Sequence, residues 1–285
     1  MQKIYIDSRF RTTGSKSESD FNVELPRSFN VPDGVVAHID DIVIPVSWRT
    51  VDERNNKCYV AFFVGASAKS EHHFTIEPGN YDGNTFGTAL ASALNAAIVG
   101  YTGGGAVVVP AFVVPTFACA YNVQDNLLTI SVVDHRADSV KELAPFGLEI
   151  HFDDWIVPEY LPVANTINTI IRNTPQTAQL FITEDESYTC YLDLFNTRNL
   201  YLTSSSLCSY DTVSNFGMDT IIKKIPCTAP YNKMIFQSSG STLDGLDVSK
   251  RTLRFLDFKL VDSSFRPIDL QGNHFSFSIV FQQKR

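Results

Sequence analysis

The 285-residue chain carries 23 Lys and Arg against 31 Asp and Glu, a formal net charge of −8, so it lacks the basic surplus that coating a phosphate backbone requires. Aromatic residues make up 12%, with 21 Phe, and charged residues only 19%, a balance that suits sheets with aromatic faces and argues against disorder. No apolar run reaches transmembrane length and residues 1–30 hold no signal-peptide apolar core, so the expected compartment is the cytosol or nucleus.

In chain order, Gln2–Asp7 reads as a short strand. Ser8 to Ser19 is polar, first basic and then rich in Ser, and reads as a loop or a mobile arm. Phe21 to Leu25 alternates cleanly, and Pro26 is expected to end that strand. Pro32-Asp33-Gly34 is a turn. Val35 to Val46 is a strong strand with a kink or bulge allowed at Asp40-Asp41, and Pro45 favours an edge or a strand end. Asn55-Asn56 makes a turn before a strand at Lys57 to Val64. Phe74 to Glu77 reads as a short strand. Then the period changes. Phe86, Leu90, Leu94 and Ile98 recur at helical spacing, which predicts a helix over Thr85 to Ile98 capped by Asn84 or Thr85, lying on the end or face of a sheet.

Gly103 to Gly105 is a turn, and Ala106 to Val114, interrupted by Pro110 and Pro115, reads as extended. Tyr121 to Gln124, Asp125-Asn126 and Leu127 to Val133 give a hairpin signal. Ser139 to Phe146 holds one or two helical turns. Trp155 to Gln176 is the expected long crossover. Strands follow at Gln179–Thr183, Tyr188–Asp193, Arg198–Thr203, Thr220–Ile225 and Tyr231–Gln237. Ser204–Asp211 and Ser238–Lys250 read as loops. In the last stretch Leu256, Phe258 and Leu260 share one face. Phe275, Phe277, Ile279 and Phe281 share another, opposed by Ser276, Ser278 and Gln282. This period-two pattern marks half-buried strands, the last expected inside a sheet. The expected fold is all-β: a β-sandwich spanning residues 1–285 with both termini in it, and an excursion over about 66–176 carrying one short helix.

The chemistry-bearing residues do not form an enzyme signature. His72-His73 on a strand face opposite ways. No GxSxG elbow is present, and Gly103 to Gly105 is not followed by a Lys-Ser/Thr pair. Cys58, Cys119, Cys190, Cys208 and Cys227 are odd in number and form no CxxC, so they read as free thiols rather than zinc ligands or a disulfide framework. No catalytic residue, metal or cofactor is expected.

Several segments resemble the penton (minor capsid) proteins of Polintons, adintoviruses and related Polinton-like viruses. They are Ile6-Asp-Ser-Arg-Phe-Arg-Thr-Thr-Gly14, Asp20-Phe-Asn-Val-Glu-Leu-Pro26, Ile44-Pro-Val-Ser-Trp48 and Asn55-Asn-Lys57. Further along come Gly79-Asn-Tyr-Asp-Gly-Asn84, Ile221-Ile-Lys-Lys-Ile-Pro226 and Asp269-Leu-Gln-Gly-Asn-His-Phe-Ser-Phe-Ser-Ile-Val-Phe281. The resemblance implies a jelly-roll protomer and a homopentamer at icosahedral fivefold vertices. It implies double-jelly-roll major capsid proteins as partners and the virion as location, after assembly in host cytoplasm or nucleus. On that reading the Ser8–Ser19 segment is an inter-capsomer arm, with Arg9 and Arg11 placed to pair with acidic partner surfaces and Ser15 and Ser17 in its Ser-rich part. A carbohydrate- or receptor-binding β-sandwich, distinguished by an aromatic apical loop, is the alternative. A cupin-like enzyme would need converging His and Glu ligands.

Overall fold

The computed structural model describes residues 2–65, 69–99, 101, 113–143, 145–151, 170–172, 179–183, 187–195, 197–209, 220–238 and 245–283. The chain divides into two compact units, one made of residues 1–48 and 197–285 and the other of residues 49–196. The second unit thus begins earlier and ends later than the excursion at about 66–176 expected from sequence.

The first unit opens with strands β1 (Gln2–Asp7), β2 (Asp20–Asn30) and β3 (Val35–Pro45). The second unit then supplies β4 (Lys57–Val64), β5 (Ser70–Thr75), helix α1 (Gly83–Ile98), β6 (Thr116–Asn122), β7 (Leu127–Val133) and α2 (Asp138–Leu143). It continues with β8 (Phe146–His151), β9 (Ile171–Arg172), β10 (Gln179–Thr183) and β11 (Tyr188–Leu192). The chain returns to the first unit through β12 (Asn199–Thr203), β13 (Ile221–Pro226), β14 (Met234–Ser238), β15 (Leu246–Asp247), β16 (Thr252–Val261) and β17 (Ser276–Gln283).

Two antiparallel sheets make the first unit. One has the order β1-β17-β3-β14, with β15 also pairing β3, and the other β13-β12-β16-β2. Leaving aside the two-residue β15, the strands pair from the outside inward: β1 with β17, β2 with β16, β3 with β14, β12 with β13. A folded-over hairpin of eight strands rolled into two sheets has this pairing, and it defines a jelly roll. The second unit occupies the connection between β3 and β12, the third and fourth strands of the roll. The sheets are held by the alternation visible in the sequence. Leu256, Phe258 and Leu260 from β16 and Phe277, Ile279 and Phe281 from β17 are all buried in one core. Phe258 and Phe277 meet edge to face at 4.8 Å across the sheets, and Phe29 and Phe281 at 4.9 Å.

Two prolines sit differently in their strands. β2 runs through Pro26 to Asn30 rather than stopping before it. The strand lies on a sheet margin, and its pairing with β16 skips from Glu24 opposite Phe255 to Phe29 opposite Leu253, so the missing Pro26 N–H breaks no ladder bond. Pro45, by contrast, ends β3. In the middle of β3, Ile39 faces Ile279 and Ile42 faces Phe277. Asp40 and Asp41 therefore both stand opposite Ser278, a β-bulge at the site the sequence allowed.

The second unit has sheets β10-β8-β4-β5 and β6-β7-β11-β9 and a core of its own. Helix α1 packs on β6 and contributes Phe86, Leu90, Leu94 and Ile98 to that core. Its cap is Asp82 rather than Asn84 or Thr85. The Asp82 carboxylate accepts from the Thr85 amide at 2.8 Å, and the Thr85 hydroxyl accepts from the Asp82 amide at 2.9 Å, completing a capping box. Asn95 on α1 donates to the Phe117 carbonyl at 3.0 Å and accepts from its amide at 2.8 Å, so the helix satisfies a backbone pair on the marginal strand β6.

Among the strands that differ from expectation, β5 and β8 are the clearest, and β15 (Leu246–Asp247) falls in a stretch read as a loop. β5 is Ser70–Thr75 rather than 74–77, a mostly polar marginal strand with little apolar signal. β8 was hidden because Phe146 reads as a helix end. It pairs with both β4 and β10, and Phe146, Leu148 and Ile150 are buried. The turn at Gly103–Gly105 and most of the segments at 106–114 and 155–176 lie outside the described residues. No described helix is long and apolar enough to cross a membrane.

Candidate assembly surface

The segment from Ser8 to Ser19 is a folded loop bonded to its own chain. Ser8–Phe10 forms a 3-10 turn after β1. Arg9 lies over Asp7: its guanidinium donates to both carboxylate oxygens, with Nη2 2.5 Å from Oδ2. That fork holds the Asp7 carboxyl below the usual carboxylate range, against the opposing effect of its partial burial. Arg11 donates to Glu18 at 2.9 Å and to the Ser8 carbonyl at 3.2 Å. Ser15 Oγ accepts from the Asn22 amide at 3.0 Å, and Ser17 Oγ from the Asp20 amide at 3.0 Å. The four residues singled out in the sequence thus fasten one loop to β1 and β2 and do not converge on a common point.

What lies beside that loop was not singled out. By register, Asp7, Ser276, Val43 and Phe236 form one row across β1, β17, β3 and β14 on the outer face of the sheet. Tyr5 and Phe10 at the β1 end are each 76% exposed, and Phe236 and Met234 at the β14 end are 68% and 55% exposed. These four are most of the large apolar side chains that the described part of the first unit leaves in solvent, and such concentration marks an interaction surface more than scattered exposure does. Between the rings the small Ser276 leaves a hollow of about 360 Å³, lined by Tyr5, Asp7, Phe10, Val23, Asp41 and Val43 among others. The sequence signal was present in β14, where Met234, Ile235 and Phe236 are apolar at both parities of a strand, although only Ile235 is buried.

The charges around the hollow follow from the bulge. With Asp40 and Asp41 on the same outer face, Lys3 Nζ reaches an Asp40 oxygen at 2.8 Å and an Asp41 oxygen at 3.7 Å. Asp40's hydrogen bond pushes the Lys3 amine above its ordinary value. Asp41 also accepts from the Ser278 hydroxyl. Lys3 lies over the Tyr5 ring at 5.2 Å and Arg9 over the Phe10 ring at 6.0 Å. Aromatic faces and carboxylates around this hollow already hold cations of their own chain.

Elsewhere the polar groups have structural surroundings. His72 and His73 do face opposite ways: His72 packs at 5.0 Å from the Phe62 ring, His73 at 6.2 Å from Tyr59. All five cysteines are free. Burial pushes the Cys119 and Cys190 thiols up to about 12 and Cys227 to about 11, values that suppress the reactive thiolate. Among the described residues no three His, Cys, Asp or Glu side chains gather as a metal site would.

Fold and surface together describe a jelly roll with a second β-rich unit between its third and fourth strands and an aromatic shelf on one sheet. The penton protein of mavirus has a similar fold: the two structures superpose with a TM-score of 0.52 over 99% of this chain and 99% of that one, at 12% sequence identity. A chain from the Sputnik virophage matches over 100% of this chain and 98% of its own, with 15% identity and a TM-score of 0.47. No protein-family model and no curated protein sequence matches.

Proposed function

We propose that this chain is a structural capsid protein, a penton that forms homopentamers at the fivefold vertices of an icosahedral shell, beside double-jelly-roll major capsid proteins. The observation that carries the reading is the end-to-end correspondence of fold with the mavirus penton protein, over 99% of both chains. The segmental resemblance to Polinton-type pentons, which runs in order along the sequence, supports the same reading. The role is architectural, with no catalysis and no cofactor. The chain resides in the virion.

In this role the Ser8–Ser19 loop is a contact element toward a neighbouring capsomer. Arg9, 63% exposed at its side chain, and Phe10 stand at its outer end, while Arg11, Ser15 and Ser17 hold its shape. The test is particle assembly with and without this chain, in cells that also make the major capsid protein of the same virus. Shells lacking density at their fivefold vertices when the chain is omitted are the expected result. Shells with filled vertices in its absence would overturn the assignment.

A further inference from the structure

The penton reading requires a ring, and a ring of identical subunits needs two unlike patches on opposite flanks of each copy. The sheet orders identify the flanks of the jelly roll. β1 and β14 are the outer members of the main path of one sheet, and β2 and β13 those of the other. Val23 of β2 lines the same hollow as Tyr5 and Asp7 of β1, so β1 and β2 share one flank. β13 and β14, consecutive in sequence, share the other.

The two flanks differ in charge and in relief. Residues 220–238 contain Lys223, Lys224 and Lys233 and no carboxylate, in a chain of net charge −8. Lys224, Tyr231, Lys233 and Met234 are exposed there. The opposite flank has the hollow, walled by the Tyr5 and Phe10 rings and bordered by Asp7, Asp40 and Asp41 against Lys3 and Arg9. One flank thus presents exposed lysines and apolar side chains, and the other an aromatic recess bordered by three carboxylates and two cations. Lys3 over Tyr5 and Asp40, and Arg9 over Phe10 and Asp7, show in cis the contacts that a lysine from outside would make in trans.

Resting on the penton reading, we propose that a second copy of this chain is the occupant of that recess: the Lys224, Lys233 and Met234 flank of one copy docks against the Tyr5, Phe10 and Asp41 flank of the next. The contact is heterologous, and its repetition around an axis closes the ring. Charge complementarity orients the encounter, and the exposed apolar side chains supply the buried area.

The test uses the full chain in sedimentation velocity over a range of concentrations and salt. Three variants are compared with the parent: Lys224→Glu with Lys233→Glu, Asp40→Lys with Asp41→Lys, and all four together. Circular dichroism checks that each folds, and Phe10→Ser, at an exposed position, replaces the aspartate pair if that one does not. Each single-flank reversal brings like charges together and weakens association about tenfold or more, and the four-fold swap restores it. A parent pentamer indifferent to the reversals, or not recovered by the swap, overturns this pair of flanks and leaves the penton reading standing. A parent that is a stable trimer or stays monomeric with its major capsid partner overturns both.

Discussion

Ser8 and Phe275 bracket each other's backbones. The Ser8 amide donates to the Phe275 carbonyl at 3.0 Å, and the Phe275 amide donates to the Ser8 hydroxyl at 3.1 Å. The exchange extends the β1–β17 ladder by one step, joining the end of the first strand to the start of the last. Both residues are fully buried or nearly so. Ser8→Ala leaves the Phe275 N–H without its acceptor in a place water does not reach, and is expected to cost about 1–3 kcal/mol in urea unfolding. An unchanged midpoint would show that the loop rearranges to supply another acceptor.

Asp257 gives the jelly roll an acid-sensitive joint. Its carboxylate accepts from the Ser205 and Ser206 amides, both at 2.9 Å, and so fixes the loop after β12 onto β16. Burial works to raise its pKa, but the amide bonds outweigh burial and hold the carboxyl below its ordinary value. A group depressed in the folded state contributes stability above its unfolded pKa and loses it as pH falls through the folded one. Asp257→Asn is therefore expected to cost about 1 kcal/mol at pH 7. The gap between parent and variant should close below about pH 4. Chemical denaturation at several pH values measures both, and a gap that widens with acid would contradict the assignment.

The capping box at Asp82 makes a local prediction. Asp82→Ala removes the acceptor for the Thr85 amide and one half of the reciprocal pair. A loss of about 1 kcal/mol is expected, with faster amide exchange confined to the first turn of α1. Exchange that accelerates along the whole helix would mean that the cap also governs the packing of Phe86 and Leu90.

Gly147 sits opposite Phe63 in the pairing of β8 with β4. A Cβ at Gly147 would run into the Phe63 ring, which lies over the glycine. Gly147→Ala forces that ring away from a strand with partners on both sides, and a destabilisation of about 1–3 kcal/mol is expected in thermal unfolding. Combining it with Phe63→Ala should recover part of the loss, since the clash then disappears.

The jelly-roll strands were legible where apolar and polar residues alternate, whether the second face is wet, as in β16, or covered, as in β17. β16 and β17 could be read directly because Leu256, Phe258, Phe277 and Phe281 alternate with polar partners. The Asp40-Asp41 bulge was legible because two consecutive carboxylates interrupt an apolar run that must stay in register. Marginal strands were harder: the mostly polar β5 gives little pattern, and Pro26 misled because only the sheet order shows that its missing N–H has no partner to lose. Beyond the apolar run of β14, the aromatic shelf was hard to see for a different reason. Tyr5, Phe10 and Phe236 are residue types that ordinarily fill cores, and only three-dimensional register reveals that they face outward together.

Everything proposed for the assembly depends on whether this chain closes fivefold rings. Light scattering coupled to size exclusion, on the purified protein, tests that most directly. The account predicts a mass near five times the 31.8 kDa chain. A stable trimer would contradict it.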